Sequence, residues 1–390
     1  AREREQCALI FDPGKGATAR ELHIAASLGT PRWSPDGPGL AFVASDVDAT
    51  RLFLYEVEAN VVRAVTPPGL IVQGPCSWSP DSKALLFTGV RCSRREGSRR
   101  IVTRDFRVEG QGLIEESDVA IYRLAVPDGA VDRIETGFAV ALQPAFSPCG
   151  SRILFMGFDE AVAYSVSFLR GAKLCILSLG DGRVSRVVAD DWALSGAQWA
   201  PDGERLIFAG AYRSPLPVPL IGPWIIDTDR SNLRPLVGEE SGSVGLRIHH
   251  DMPTWGTQNN IFLIDHTHAY VTVTWRGRAR IMRANLAGPA TPTVIADGPR
   301  ACLVMDVDRE RDKLLFAASD LHAPWELYVV GTDGANEECV SHLNDEALAA
   351  WPRVEVDPLV FRSADGLPVE AWHVRPADTT GPQPTVMFIH

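Results

Sequence analysis

One pattern constrains this chain more than any other. A large apolar residue opens a Ser-Pro-Asp-Gly-type turn, and a second large apolar residue closes it nine positions later. The full copies are Trp33-Ser34-Pro35-Asp36-Gly37 with Phe42, Trp78-Ser79-Pro80-Asp81 with Phe87, Phe146-Ser147-Pro148-Cys149-Gly150 with Phe155, and Trp199-Ala200-Pro201-Asp202-Gly203 with Phe208. Two degenerate copies run from Trp255 to Ile264 and from Val307 to Phe316. Proline presets φ for the first central position of a turn, and Asp-Gly tolerates the positive φ that follows. The apolar trio after each turn begins a strand, and the opening aromatic is a plate for packing one sheet on the next. Each copy is therefore one strand–turn–strand unit.

The copies open at residues 33, 78, 146, 199, 255 and 307, which are 45 to 68 residues apart. Periods of this size with several short strands each indicate a β-propeller. In the first unit the pattern resolves into Leu40–Ala44, Arg51–Glu58 and Val61–Val65 before a Pro-Pro-Gly turn. Residues 6–27 hold two more strand-like runs, Cys7–Phe11 and Glu21–Ile24, without a motif of their own. Six motifs plus this partial unit predict seven blades, with the N-terminal strands completing a blade together with late strands.

Composition narrows the function classes. A formal net charge of −11 argues against a general nucleic-acid binder. Seven arginines lie between Arg91 and Arg107, but only Phe106 there could stack on a base and the flanks are acidic, so a solvated or interface-forming hairpin is expected. No apolar run reaches membrane-spanning length, and seven dispersed cysteines fit reduced thiols, hence a cytoplasmic protein with no membrane partner. His249-His250-Asp251 and Asp265-His266-Thr267-His268 contain metal-ligand residue types, yet both fall at expected loop positions, and no metal or other cofactor is assigned. The proline-dense run from Ser214 to Pro219 reads as a stiff blade-crossing loop. No Gly-x-Ser-x-Gly occurs; Ser243 comes nearest, with Ser241 where glycine is needed.

From Leu359 the character changes. Leu359–Arg362 and Val369–Val374 alternate as strands around Asp365-Gly366, a hairpin signal. A proline-rich stretch (376–384) then leads to Thr385–Ile389, a continuous apolar run suited to a buried strand of an α/β sheet, which stops at His390 in mid-element.

Phe361, Ser363, Asp365-Gly366, Val369, Trp372, Pro376 and the run Val386 to His390 resemble the entry into the catalytic domain of the prolyl oligopeptidase family of serine peptidases. Ala323–Val329 resembles that family's last propeller strand, Leu343-Asn344 its exit from the propeller, and Ile101–Gly112 a segment of bacterial acylaminoacyl-peptidase-like members. The resemblance implies a seven-bladed propeller over residues 1–355 and the first strands of an α/β-hydrolase domain over 356–390. It implies hydrolysis of short peptides, N-acylated or not, by a Ser-His-Asp site supplied outside these residues, with the propeller gating access. His390 would begin the oxyanion loop, no catalytic residue lies in the chain, and the chain by itself is expected to be inactive. The expected partners are the peptide substrate, the hydrolase domain and further copies in a homo-oligomer. Alternatives in view are a non-enzymatic binding propeller of the TolB type, and a propeller-capped esterase or proline-specific peptidase.

Overall fold

A computed structural model describes residues 6–10, 20–24, 27–29, 31–45, 50–92, 107–108, 112–113, 117–159, 171–188, 191–213, 220–238, 241–246, 262–288, 291–379 and 381–388. The regular secondary structure of the described residues is almost entirely strand, in six antiparallel units of like topology. The first joins Arg32–Trp33, Gly39–Ser45, Thr50–Glu56 and Val61–Ala64, with Ser27–Leu28 also on the second of these strands. The second holds Ile71–Trp78, Ala84–Cys92, Ser117–Ala125 and Val131–Ile134, and the third Val140–Phe146, Arg152–Phe158, Lys173–Ser178 and Val184–Val188. The fourth holds Trp192–Trp199, Arg205–Tyr212, Gly222–Asp227 and Arg234–Pro235. The fifth holds Phe262–Ile264, His268–Trp275, Arg278–Asn285 and Thr293–Ala296, and the sixth Ala301–Asp308, Lys313–Ser319, Glu326–Gly331 and Glu338–Cys339.

The nine-residue spacing now has a physical cause. The opening residue pairs with the residue seven positions later across a tight turn, as Trp33 with Leu40, Trp78 with Leu85, Phe146 with Ile153, Trp199 with Leu206 and Val307 with Leu314. Two residues further along the second strand, on the same face, Phe87, Phe155, Phe208 and Phe316 are fully buried. Within the turn the serine carries the load: Ser34, Ser79 and Ser147 Oγ accept the backbone N–H five residues on, at 2.8 to 3.0 Å, and all three are buried. Gly150 and Gly203 take φ of +74° and +70°, the left-handed step of the turn.

The fifth copy is displaced from the expected register. Ile264 lies on the first strand of its unit, not the second, and the pair in register is Leu263 with Tyr270. The closing position is then Thr272, a buried hydroxyl that accepts from the Val304 N–H of the sixth unit at 3.0 Å. An aromatic-to-apolar count with a polar closer could not find this register; Trp255 itself lies outside the described residues.

Neighbouring units pack face to face through successive apolar clusters, joining the first to the second, the second through fourth, the fourth to the fifth and the fifth to the sixth. The motif tryptophans also bond across these seams. Trp78 Nε1 donates to the Arg32 carbonyl at 3.0 Å, and Trp199 Nε1 to the Ala145 carbonyl at 3.2 Å. In both cases the acceptor is the residue just before the motif aromatic of the preceding unit. With first strands converging and sheets packed in succession, the architecture is an all-β propeller.

Gln6–Ile10 and Arg20–Ile24 pair with each other, in a sheet separate from the six units. After the sixth unit the chain makes the short helix Asp345–Ala350 and the hairpin Val354–Arg362 with Pro368–Pro376. The strands of that hairpin are longer than the sequence pattern suggested, and its turn holds Gly366 at φ +86°. Residues 382–388 form no strand, and Val386, Met387 and Phe388 are exposed. A strand needs a neighbour for its backbone groups, and among the described residues no strand pairs with 382–387. Among the described residues no helix is long and apolar enough to cross a membrane.

Candidate functional site

Most of the residues singled out in the sequence prove to be scaffold or lie outside the described residues. His390, His249, His250, Asp251, the Ser214–Pro219 run and most of the arginine-rich segment belong to the latter. Asp265 closes a hairpin turn: its Oδ1 accepts the N–H groups of Thr267 (2.7 Å) and His268 (2.6 Å), and its Oδ2 accepts the Tyr270 hydroxyl at 2.7 Å. Burial opposes its ionisation, but those bonds outweigh burial and hold the carboxyl below its usual range. Its oxygens are committed to the turn, and among the described residues no group of three or more potential metal ligands occurs. Ser243 is buried, its Oγ accepting the Ile221 N–H at 3.2 Å, which is the bond of a packed strand and not of a nucleophile.

Among the described residues, one feature that can hold a ligand lies at the axis. The first strands of five units converge on a cavity of ≈ 270 Å³. Irregularities in those strands shape it. Pairing shifts between Gln73 and Ser77, between Leu142 and Ala145, and between Leu194 and Gly196. Such bulges re-aim side chains. Gln143 takes φ +53° and is followed by Pro144, where the second unit has Gly74 at +67° followed by Pro75. A left-handed non-glycine residue costs about 1 kcal/mol. Gln143 and Gln198 line the cavity, and neither side-chain amide has a hydrogen bond among the described residues. Trp33, Trp78 and Phe262 supply apolar walls, and Trp33 is 47% exposed. Burial pushes the Arg32 guanidinium down, opposed by the fields of Cys76 and Asp306. Sequence reading missed both glutamines; the one signal, at Gln143, was a polar residue beside a proline three positions before a motif aromatic, and Gln198 had none.

A second region lies at the opposite end of the ring. The cavity reaches the end where first strands turn into second strands, whereas the late hairpin meets a turn between a second and a third strand. There the Trp372 ring sits on Gly277, leaving no room for a Cβ, and Gly277 has φ +65°. Beside it the guanidiniums of Arg276, Arg278 and Arg280 lie 4.4, 5.3 and 4.7 Å from the Trp275 ring centre. The chain is led to this point by a buried anchor. Glu326 accepts the Leu343 N–H (3.2 Å), the Asn344 N–H (2.8 Å), the Asn344 side-chain amide (2.8 Å) and the Ser341 hydroxyl. Beyond the anchor both faces of the hairpin are apolar toward its tip: Val360 and Trp372 project to one side, Leu359 and Phe361 to the other, and all four are exposed.

Among the described cysteines Cys149 stands out by its exposure. Cys149 occupies the aspartate position of its motif and is exposed, 3.4 Å from Ser147 Oγ and 3.0 Å from Ser151 Oγ. Those hydroxyls lower its thiol to about 7, whereas burial pushes Cys76 to about 11 and Cys175 and Cys302 to about 12. Among these four, alkylation by iodoacetamide should strike Cys149 first, with its rate rising through about pH 7. Peptide mapping by mass spectrometry checks this, and labelling of Cys175 or Cys302 ahead of Cys149 in the folded protein would contradict it.

No family model matches the chain. Over 159 residues it is 27% identical to "Uncharacterized peptidase YuxL" of Bacillus subtilis (strain 168), which covers 37% of this chain and 24% of that protein. In structure it is similar to an acylaminoacyl peptidase solved in complex with Z-Gly-Gly-Phe-chloromethyl ketone, with TM-score 0.74 at 15% identity over 97% of this chain and 54% of the other. It is also similar to the β-propeller domain of the Trilobed protease from Pyrococcus furiosus, with TM-score 0.58 at 16% identity over 87% of this chain and 91% of that domain. The chain thus spans about half of the acylaminoacyl peptidase and most of the isolated propeller.

Proposed function

We propose that this chain, the propeller portion of a prolyl oligopeptidase-family peptidase, gates access to a hydrolase domain that carries a Ser-His-Asp site outside these residues. In this reading residues 1–355 form a seven-bladed ring, to which the pair Gln6–Ile10 and Arg20–Ile24 contributes, and 356–390 begin the hydrolase domain. His390 would open the oxyanion loop, whose backbone donors hold the developing charge on the scissile carbonyl. The substrates are short peptides, with or without an N-acyl group, and a ring with a narrow axis excludes folded proteins from the site.

The observation that carries this reading is the hairpin Val354–Pro376. A self-contained propeller has no use for a two-stranded ribbon with Leu359, Val360, Phe361 and Trp372 exposed on its two faces. Paired ribbons of this kind are marginal alone and become stable inside a larger sheet or against helices. The 390-residue chain should therefore show no turnover of acyl-peptides or aminoacyl anilides. Joined to a hydrolase domain beginning near Gly-Gly-Pro, it should hydrolyse them, and a serine-directed phosphonate should abolish the activity. Turnover by the isolated chain that resists the phosphonate would overturn the proposal.

A further inference from the structure

We infer that the axial cavity is a binding site for a short extended peptide segment, held through its main-chain amides by Gln143 and Gln198 and along its side chains by Trp33, Trp78 and Phe262. The choice of a peptide as ligand rests on the peptidase reading above; the existence of a site rests on the cavity. Four observations carry it. First, the cavity measures ≈ 270 Å³ and is walled by first strands of five units, so it is built by convergence and not by one loop. Its size is near the lower end of the range in which proteins enclose small ligands.

Second, Gln143 stands at a strained position. Its φ of +53° suits glycine, and the second unit has Gly74 before proline in its own bulge. The backbone N–H of Gln143 donates to Thr88 Oγ1 at 3.0 Å. A side chain kept at a left-handed position with its amide unbonded among the described residues points to a role for that amide. Third, Gln198 lines the same cavity, and its carboxamide is likewise unbonded among the described residues. A carboxamide both donates and accepts, which matches a peptide bond and does not select for charge. Fourth, the one cation of the wall, Arg32, lies in the field of Asp306, so the cavity lacks the excess positive charge that a phosphate would need. Trp33, half exposed, offers an open indole face to an apolar side chain.

The test uses the 390-residue chain and acetyl-tetra-alanine amide, followed by titration calorimetry and by the tryptophan emission that Trp33 and Trp78 contribute. The wild-type chain should bind saturably. Gln143→Gly should weaken binding about three- to ten-fold, the loss of one or two neutral hydrogen bonds, while its melting temperature stays level or rises because glycine relieves the strain. Gln143→Gly combined with Gln198→Ala should remove measurable binding. Absence of saturable binding to the wild type, or equal binding by Gln143→Gly, overturns the inference. The peptidase reading fails separately: binding here without hydrolysis by the protein joined to its hydrolase domain sinks that reading alone. Hydrolysis with a KM unmoved by Gln143→Gly sinks this one alone.

Discussion

Replacing Trp199 with alanine is expected to destabilise the chain by about 4 kcal/mol, whereas Trp33→Ala should cost roughly 1 kcal/mol or less. The two residues occupy the same place in the same motif, and their surroundings set them apart. Trp199 is buried, its indole N–H donates to the Ala145 carbonyl at 3.2 Å, and the Arg152 guanidinium stacks 5.0 Å from its ring centre. Truncation removes the plate between the third and fourth sheets, leaves a void and orphans a carbonyl. Trp33 is 47% exposed, so far less of its surface is lost from packing. Trp199→Phe keeps most of the plate and loses the bond, which should account for about 1 kcal/mol of the total. Urea midpoints with unchanged m-values would report these differences. Equal shifts for Trp33→Ala and Trp199→Ala would show that the seam contacts carry no weight.

Glu326→Ala should cost about 3 kcal/mol, because it leaves two backbone N–H groups, a carboxamide and a hydroxyl without their shared acceptor in a buried place. Glu326→Gln should be milder, since one acceptor oxygen remains but one donor now faces donors. The wild-type carboxylate gives the anchor a pH dependence. Burial by itself would raise its pKa, but the bonds from Ser341, Leu343 and Asn344 outweigh burial and lower it. A depressed folded-state pKa means that stability is fully present above the ordinary glutamate value of about 4.3 and drains away as pH falls through the folded value. The difference in urea midpoint between wild type and Glu326→Ala should therefore be constant near neutrality and shrink in acid. A difference that grows as the pH falls would contradict this sign. Because Glu326 fixes residues 341–344, the variant should also loosen the exit toward the late hairpin, seen as faster amide exchange at Leu343 and Asn344.

Much of the fold was legible because it is written in local chemistry. Proline, aspartate and glycine set the turn geometry within five residues, and the apolar positions seven and nine away follow from antiparallel pairing across that turn. The four full copies were read in register for this reason, as were the degenerate copy at Val307 and the hairpin around Asp365-Gly366, though the hairpin's strands run longer than their alternation showed. The fifth copy was misread because its closing position is Thr272, whose hydroxyl accepts from the Val304 N–H in the next unit. The run Val386–Phe388 reads as a strand by composition, yet a strand exists only where another supplies bonds, and here it is exposed coil.

The candidate site was barely legible. Ser243 and the Asp265–His268 cluster drew notice by residue type, and both are absorbed by local hydrogen bonds. Gln143 and Gln198 drew none, because nothing within a few positions of either residue marks it as facing an axis. By itself the sequence determined the repeat, the turn, the buried aromatic after each turn and the resemblance of the late hairpin to a peptidase junction, since each rests on neighbours along the chain. Only the tertiary structure decided which copy of the tryptophan has a partner across a seam, which register the fifth unit takes and which side chains meet at the axis. Those outcomes depend on residues 32 to 55 positions apart in the chain being brought within hydrogen-bond distance, and no local propensity encodes such a meeting.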